Sequence, residues 1–302
     1  MTLRRTRKQS IYTAIKELFE EGKGYPLSGL CRLGNVSRAA YYKWLNHNDS
    51  ENDTLNNRIA DLTETIHAEH PDMGYRRIRD TLEHDHSISV NDKRVLRICR
   101  KKKIQSYIKH RYNCCTKPAS DPAYIAENVL NREFQSDVPN EKWVTDVSVF
   151  KYGIGEKKEK LYLSAILDLC GKRPVSFTMS NSNDNDLVFS NFDDAVSKHP
   201  DAHCIFHSDR GYQYTCKAFH DRLIKAGMTQ SMSRVAHCID NGPMEGFWGL
   251  MKREMYYGKK FRTKEELIKA INDFMDYYVN RRVQRKLGVM TPAEYYQAKL
   301  AA

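Results

Sequence analysis

Three acidic residues, Asp146, Asp209 and Glu245, are the candidate catalytic carboxylates of this sequence. Asp209 closely follows a short apolar run, residues 204–206, that is typical of a buried strand. Glu245 falls in the first turn of an amphipathic helix, and Asp146 lies in a β-rich run where a lone charge is costly to bury. Three acids on separate elements of one fold are what a pair of Mg²⁺ ions needs to hold a phosphodiester.

Each of these acids also has an ordinary structural role open to it. Asp146 suits a buried, hydrogen-bonded acid, Asp209 suits a turn, and Glu245 suits the dipole of its helix. Asp240, a fourth acid nearby, is a rival to Glu245. A Ser-His hydrolytic site at residues 207 and 208 is disfavoured, because adjacent strand residues point to opposite faces and no nucleophile elbow is present.

The region that carries the acids has the pattern of a mixed sheet flanked by helices. Three consecutive strands are predicted first, and helices and strands then alternate up to the Glu245 helix. The predicted strands are 143–152, 160–169, 172–180, a run ending at 209 and 228–232, and the predicted helices are 184–197 and 215–226. This order predicts an α/β fold.

The helix that carries Glu245 has two distinct faces. Its apolar residues recur at three-to-four spacing and are predicted to pack on the sheet: Met244, Phe247, Trp248, Met251 and Met255. Glu245 and Lys252 are seven residues apart and share the other face, whereas Glu254 points elsewhere. Asn241 is the predicted N-cap, and Pro243 suits the first turn.

The N-terminal part predicts three short helices, at 9–21, 27–33 and 37–45. The last two surround a Gly-containing turn, which is a helix-turn-helix signal. The third helix is predicted to bury Ala40, Tyr41, Trp44 and Leu45. Its outward residues, predicted to reach phosphates and base edges of DNA, are Arg38, Tyr42 and Lys43. A solvated face of a small helical bundle is the alternative.

Positive charge concentrates in the first 120 residues, which hold +9 of the net charge of +11. A pI near 9.1 also favours a polyanionic partner. Residues 46–57 are polar and predict a linker, and helices are predicted at 58–69, 75–83 and 92–103. Four arginines there are predicted to contact DNA, with solvated surface as the alternative: Arg76, Arg77, Arg94 and Arg97.

Composition argues against several other classes of protein. No apolar run approaches the length of a membrane span and no signal-peptide pattern is present, so a cytoplasmic location is expected. Eight cysteines without a Cys-x-x-Cys pattern favour reduced thiols. His110, Cys114 and Cys115 suggest zinc, but no pair of histidines followed by a spaced cysteine pair is present, so structural zinc is not expected.

The motifs around the acids, taken together, resemble the catalytic core of the insertion-sequence-three family of bacterial transposases, of the second-frame type. They are Trp-x-x-Asp at 143–146, His-Ser-Asp-Arg-Gly-x-Gln-Tyr at 207–214 and Asp-Asn-x-x-x-Glu at 240–245, with Lys252 after them. Thirty-five residues separate Asp209 from Glu245, as in that family and its integrase relatives. The resemblance extends to both ends of the chain, including the run 278–288.

The resemblance implies a ribonuclease-H-like mixed-sheet catalytic core preceded by small all-α helix-turn-helix domains. It implies that Asp146, Asp209 and Glu245 are catalytic and bind two Mg²⁺ ions, for which Mn²⁺ substitutes. Lys252 is the candidate for contact with the DNA backbone, and Arg210 and Gln213 either hold the loop beside the metals or touch DNA. The implied partners are element terminal repeats, target DNA, further copies of the chain and an upstream-frame protein, in a bacterial, nucleoid-associated location.

The predicted organisation has five parts. They are a helix-turn-helix domain at 1–48, a second helical DNA-binding domain at 58–105, a connector at 106–140, the core at 141–258 and a C-terminal helix with a basic tail at 259–302. The predicted function is metal-dependent DNA cleavage and 3′-hydroxyl strand transfer at insertion-sequence ends. The alternatives are a transposase-derived regulator that binds DNA without strand transfer, and a structure-specific nuclease on the same core.

Overall fold

The structure is a computed structural model that describes residues 3–22, 24–46, 50–108, 125–155, 158–234 and 238–302. His110, Cys114 and Cys115, and much of the predicted connector, lie outside the described residues. The chain forms two compact units, residues 1–61 and residues 62–302, and each has its own helices.

The first unit holds helices α1 (Leu3–Glu20), α2 (Leu27–Leu33) and α3 (Arg38–Leu45) around a small core. Ser37 caps α3, because its hydroxyl accepts a hydrogen bond from the backbone N–H of Ala40 at 3.1 Å. Tyr41 is buried, but Leu45, which was expected to face inward, is 40% exposed. Helix α4 (Glu51–Glu69) begins inside the predicted linker, because Ser50 and Asp53 bond to each other across its first turn.

Two further helices, α5 (Tyr75–His86) and α6 (Asp92–Lys102), occur where the sequence predicted them. Each buries one apolar stripe and leaves its charged face outward. Asn91 begins α6 by accepting a hydrogen bond from the backbone N–H of Arg94 at 2.8 Å. Most basic residues of α6 therefore lie on the exposed face of an amphipathic helix.

The second unit is built on a mixed sheet whose strand order is β3-β2-β1-β4-β5. The strands are β1 (Lys142–Tyr152), β2 (Glu159–Asp168), β3 (Arg173–Ser180), β4 (Ile205–Ser208) and β5 (Thr229–Met232). The first three form an antiparallel meander, and β4 and β5 run parallel to β1. This is the predicted mixed α/β sheet, and it places β1 at the centre with β4 beside it.

Helices cover both faces of the sheet. Helices α7 (Asn185–Lys198) and α8 (Lys217–Lys225) pack with Phe192, Phe206 and Phe219 on one face. Helices α9 (Gly242–Met251) and α10 (Lys264–Asn280) pack on the other face through Phe247 and Phe274, and α11 (Pro292–Leu300) follows them. Strand β2 is buried on both sides over most of its length, which is typical of a strand inside a sheet that helices cover on both faces.

A network of ion pairs joins α5 to the C-terminal helices. The buried carboxylate of Glu254 lies 3.0 Å from Arg77 and 2.8 Å from Arg282. Arg77 also donates to Asp72 and to the hydroxyl of Tyr277, both at 2.6 Å. Arg77, predicted from sequence to lie on a DNA-binding surface, is instead largely buried and engaged in this network.

We expect Glu254→Ala to lower the free energy of unfolding by about 3 kcal/mol, because it leaves two largely buried guanidinium groups without their shared carboxylate. Asp273→Ala is the control, since Asp273 pairs with Lys269 on an exposed helix face, and it should change stability by less than about 0.5 kcal/mol. Urea unfolding followed by circular dichroism measures both. Equal, small effects from the two variants would show that the network contributes little.

Candidate active site

Asp146 lies in the middle of β1, and both of its carboxylate oxygens accept hydrogen bonds. Oδ1 accepts from the backbone N–H of Val147 at 2.8 Å, and Oδ2 accepts from the indole N–H of Trp248 at 3.1 Å. One donor belongs to the strand itself and the other to α9. The orientation of this carboxylate is therefore fixed by two separate elements.

Asp209 directly follows β4 and lies level with Asp146. In the parallel pairing of β1 with β4, Val144 is opposite His207, so the residues two positions later lie beside each other at the same end of the sheet. Asp209 Oδ1 accepts from the backbone N–H of Gly211 at 2.9 Å. A β-carbon at position 211 would lie 3.0 Å from that same oxygen, which explains the glycine.

The two aspartates perturb each other. Burial, the neighbouring charge of Asp209 and, to a smaller degree, that of Glu245 together raise the pKa of Asp146 to about 7, against the hydrogen bonds that lower it. Burial also raises the pKa of Asp209. Carboxylates that lie side by side in a partly buried site create a negative potential that a cation relieves, which is typical of a functional site.

Glu245 occupies the first turn of α9, as predicted, and its side chain is exposed. Asn241 stands at the N-cap position, but its side chain does not cap the helix. The Asn241 amide donates instead to the backbone carbonyl of Thr145 at 3.0 Å, next to Asp146 on β1. The prediction of Asn241 as a side-chain cap is therefore wrong, because a tertiary contact takes the amide.

The donor set fits magnesium, although the three acids are not assembled as ligands. Asp146 and Asp209 are brought together, and the charge of Glu245 contributes less than that of Asp209 to the raised pKa of Asp146. Among the described residues, no three His, Cys, Asp or Glu side chains are arranged to hold a metal ion. Carboxylate oxygens are nevertheless the donors that Mg²⁺ prefers, and Asp146 and Asp209 supply them from rigid elements.

Asp240, the rival to Glu245, has a structural role. Its fully buried carboxylate accepts from the guanidinium groups of Arg132 at 2.7 Å and Arg234 at 2.8 Å, and from the amide of Asn128 at 3.1 Å. The hydrogen bond from Arg234 is the largest of the causes that lower its pKa, and Arg132 adds to it. Asp240 therefore neutralises two arginines at the base of the loop before α9.

The segment after Asp209 is held by contacts within the fold. Gln213 is buried, and its amide donates to the side-chain oxygen of Asn183 at 2.7 Å, so Gln213 anchors the loop and does not present a surface to DNA. Arg210 donates to the backbone carbonyl of Ser233 at 2.8 Å. His207 lies buried between the hydroxyls of Ser231 and Ser233, and burial lowers its pKa to about 4.

Lys252 lies near the acids, as its helical position predicted. Its ammonium is 5.3 Å from the ring centroid of Phe150, and burial lowers its pKa while the charge of Asp146 opposes that effect. Lys252 begins a short π-helical segment, Lys252–Tyr256, that follows α9. Such wide turns occur frequently at functional sites, and this one places a cation within electrostatic range of the carboxylates.

The remaining residues predicted to contact DNA lie on the helical regions. Arg38, Tyr42 and Lys43 are exposed on α3. Arg76 and Arg97 are exposed on α5 and α6, and Arg94 is half-buried. What sequence reasoning missed was the hydrogen bond from the indole N–H of Trp248 to Asp146, since Trp248 was assigned to packing alone and no sequence pattern signals this contact.

Comparison with known proteins places this architecture in a family. Residues 136–238 and 245–300 match models described as integrase core domain, and residues 54–112 match an HTH-like domain. The putative transposase InsK for insertion sequence element IS150 of Escherichia coli K12 is 34% identical, over 93% of this chain and 97% of that protein. The chain belongs to the insertion-sequence-three family of bacterial transposases. The resemblance seen in the sequence motifs is thereby confirmed.

Other similar proteins carry related descriptions. An uncharacterized transposase-like protein of Haemophilus influenzae is 36% identical to this transposase over 69% of the chain and 94% of that protein. The transposase InsF for IS3A of Escherichia coli is 24% identical over 92% of the chain and 96% of that protein. The HTLV-2 integrase catalytic core domain in complex with magnesium is 19% identical, with a TM-score of 0.41, over 53% of this chain and 97% of that chain.

A membrane-spanning helix is not found among the described residues of this transposase. The α/β core with its preceding helical region agrees with the fold that the motifs implied. The integrase-core matches also include α10 and α11, which sequence reasoning had assigned to a separate C-terminal part.

We expect Asp240→Asn to lower the free energy of unfolding by about 2 kcal/mol, because it removes the charge that accepts from Arg132 and Arg234 in a buried site. A matched control is Asp193→Asn, since Asp193 is exposed and lies 3.5 Å from Arg222. Chemical unfolding monitored by fluorescence compares them. A loss no larger than that of the control would argue against a structural role for Asp240.

Proposed function

We propose that this transposase catalyses metal-dependent cleavage of DNA at the ends of an insertion sequence and transfer of the resulting 3′-hydroxyl to target DNA. The observation that carries the proposal is the placement of Asp146 and Asp209 side by side where β4 ends, with Glu245 on α9 and Lys252 in the π-helical segment that follows it. Family membership supports the same reaction class, polynucleotidyl transfer.

Asp146, Asp209 and Glu245 are the proposed ligands of two Mg²⁺ ions, for which Mn²⁺ substitutes. When bound, the ions supply charge neutralisation at the attacked phosphate and lower the pKa of the attacking water or hydroxyl. The protein contributes orientation: the N–H groups of Val147 and Gly211 fix one oxygen of each aspartate. Glu245 is exposed at the start of α9, and its charge contributes to the raised pKa of Asp146.

Two successive reactions follow from one such site. Water first attacks the phosphodiester at the element end and releases a 3′-hydroxyl; that hydroxyl then attacks a phosphodiester of the target and displaces its 3′-oxygen. The first step breaks a phosphoester bond by hydrolysis and leaves a 5′-phosphate on the other strand end. The second step exchanges one phosphoester bond for another, so neither a covalent protein intermediate nor ATP is needed. Lys252 is the proposed contact to the DNA backbone beside the acids, since its ammonium interacts electrostatically with Asp146.

DNA is the proposed partner of the helical regions as well. The exposed basic and aromatic residues of α3 suit contact with phosphates and base edges, and Arg76 and Arg97 add positive charge on α5 and α6. The five predicted parts, 1–48, 58–105, the connector 106–140, 141–258 and 259–302, belong to this proposal. Assembly of several copies on the DNA is also proposed, because joining two DNA ends requires it. A contribution from an upstream-frame protein and association with the nucleoid are further parts of the proposal.

We expect Asp209→Asn to reduce joining of a labelled terminal-end duplex by about a thousandfold or more in Mg²⁺ or Mn²⁺, because it removes a charged metal ligand. Binding of the same duplex in a gel-shift assay should be unchanged, since Asp209 lies in the core and not on the helical regions. Asp193→Asn, on the exposed face of α7, should join DNA at the wild-type rate.

The same assay separates the alternative functions. Wild-type protein that binds the duplex and never cuts or joins it in either metal would favour a DNA-binding regulator. Cutting without joining would favour a nuclease. Asp209→Asn protein that joins DNA at the wild-type rate would remove Asp209 from the proposed catalytic set.

A further inference from the structure

Two polar side chains of the Glu245 region contact β1 beside Asp146. The indole N–H of Trp248 donates to Asp146 Oδ2 at 3.1 Å, and the amide of Asn241 donates to the carbonyl of Thr145 at 3.0 Å. Glu245 lies between these two donors in the sequence. Residues on both sides of Glu245 are thus hydrogen-bonded to the same short stretch of β1.

Trp248 is held firmly enough to orient a partner. It is 6% exposed and lies on the face of α9 that packs in the core, with its ring centroid 5.2 Å from that of Phe247. Apolar packing at this position requires only a large ring, which phenylalanine also supplies. The indole N–H adds a directed hydrogen bond, and its acceptor is a carboxylate oxygen and not water.

The hydrogen bond to Oδ2 completes the anchoring of Asp146. With Val147 N–H on Oδ1 and Trp248 N–H on Oδ2, each oxygen has one donor and keeps further lone-pair capacity for a cation. A carboxylate held in this way cannot rotate freely when a metal binds. Donors behind metal ligands orient those ligands, and their loss typically weakens metal binding by about 10- to 100-fold.

We propose that Trp248 is a positioning residue of the metal site, whose indole N–H fixes the Asp146 carboxylate and sets the register between that carboxylate and the helix of Glu245. The inference rests on the proposed function, because it assigns Asp146 to metal binding. Trp248 acts through Asp146 and touches neither DNA nor the reacting phosphate.

The test is Mn²⁺ binding to the full chain without DNA, measured by electron paramagnetic resonance. Trp248→Phe should bind Mn²⁺ about 10- to 100-fold more weakly than wild type. The matched control is Trp143→Phe, since Trp143 is a fully buried tryptophan on β1 whose indole N–H donates to Asn140 at 3.2 Å and not to an acid. The control should bind Mn²⁺ as wild type does.

A second variant keeps the shape of the side chain. Benzothienylalanine introduced at position 248 has the bicyclic ring of tryptophan with sulfur in place of the N–H, so its packing is preserved while the donor is lost. It should show the same weakened Mn²⁺ binding, with a melting temperature close to that of wild type. This variant decides the question if Trp248→Phe does not fold.

DNA cleavage as a function of Mg²⁺ concentration gives the second readout. The half-saturating Mg²⁺ concentration should rise by about the same factor as the Mn²⁺ dissociation constant, and the rate at saturating Mg²⁺ should return to within a few-fold of wild type. A merely structural role would lower the rate at every Mg²⁺ concentration and leave the half-saturating value unchanged, which would overturn the proposal.

The outcomes for wild type separate this inference from the proposed function. Wild-type protein that binds Mn²⁺ and cuts DNA, together with variants at position 248 that bind Mn²⁺ equally tightly, overturns the role of Trp248 alone. Wild-type protein that neither binds Mn²⁺ nor cuts DNA overturns both.

Discussion

The parallel pairing of β1 with β4 is the constraint on which the site depends. It places Asp146 and Asp209 level with each other where β4 ends, in surroundings that exclude much of the water. Burial of two neighbouring acids opposes folding, as the raised pKa of Asp146 shows. The large apolar clusters on both sheet faces supply the compensating stability, since a strained polar site persists only where the surrounding structure determines it.

Helix α9 connects this pair of strands to the rest of the second unit. Its start is tied to β1 through Asn241, and the π-helical segment at its end carries Glu254 into the ion pairs with Arg77 and Arg282. Glu245 and Lys252 lie between these attachments. The placement of the third acid thus depends on contacts at both ends of its helix, one to the sheet and one to residues from α5 and the C-terminal segment.

Local sequence patterns predicted the helices and strands well. The features that these patterns did not predict depend on contacts between residues far apart in the sequence. The strands, the amphipathic face of α9 and the acids follow from periodicity and motif spacing, which are local properties of the sequence. The burial of Gln213 depends on Asn183, the network around Arg77 depends on Glu254, and the contact of Asn241 depends on Thr145. Such partners lie far away in sequence, so no local pattern could identify them.

The exposed position of Glu245 follows from the same electrostatics as the raised pKa of Asp146. A third carboxylate beside two buried ones would add repulsion, whereas at the exposed N-terminus of α9 it is solvated and stabilised by the helix dipole. Only added positive charge makes its approach to the aspartates favourable, and the proposed divalent cations would supply that charge. We therefore expect assembly of all three acids to be coupled to cation binding, whereas the pairing of β1 with β4 already brings the two aspartates together.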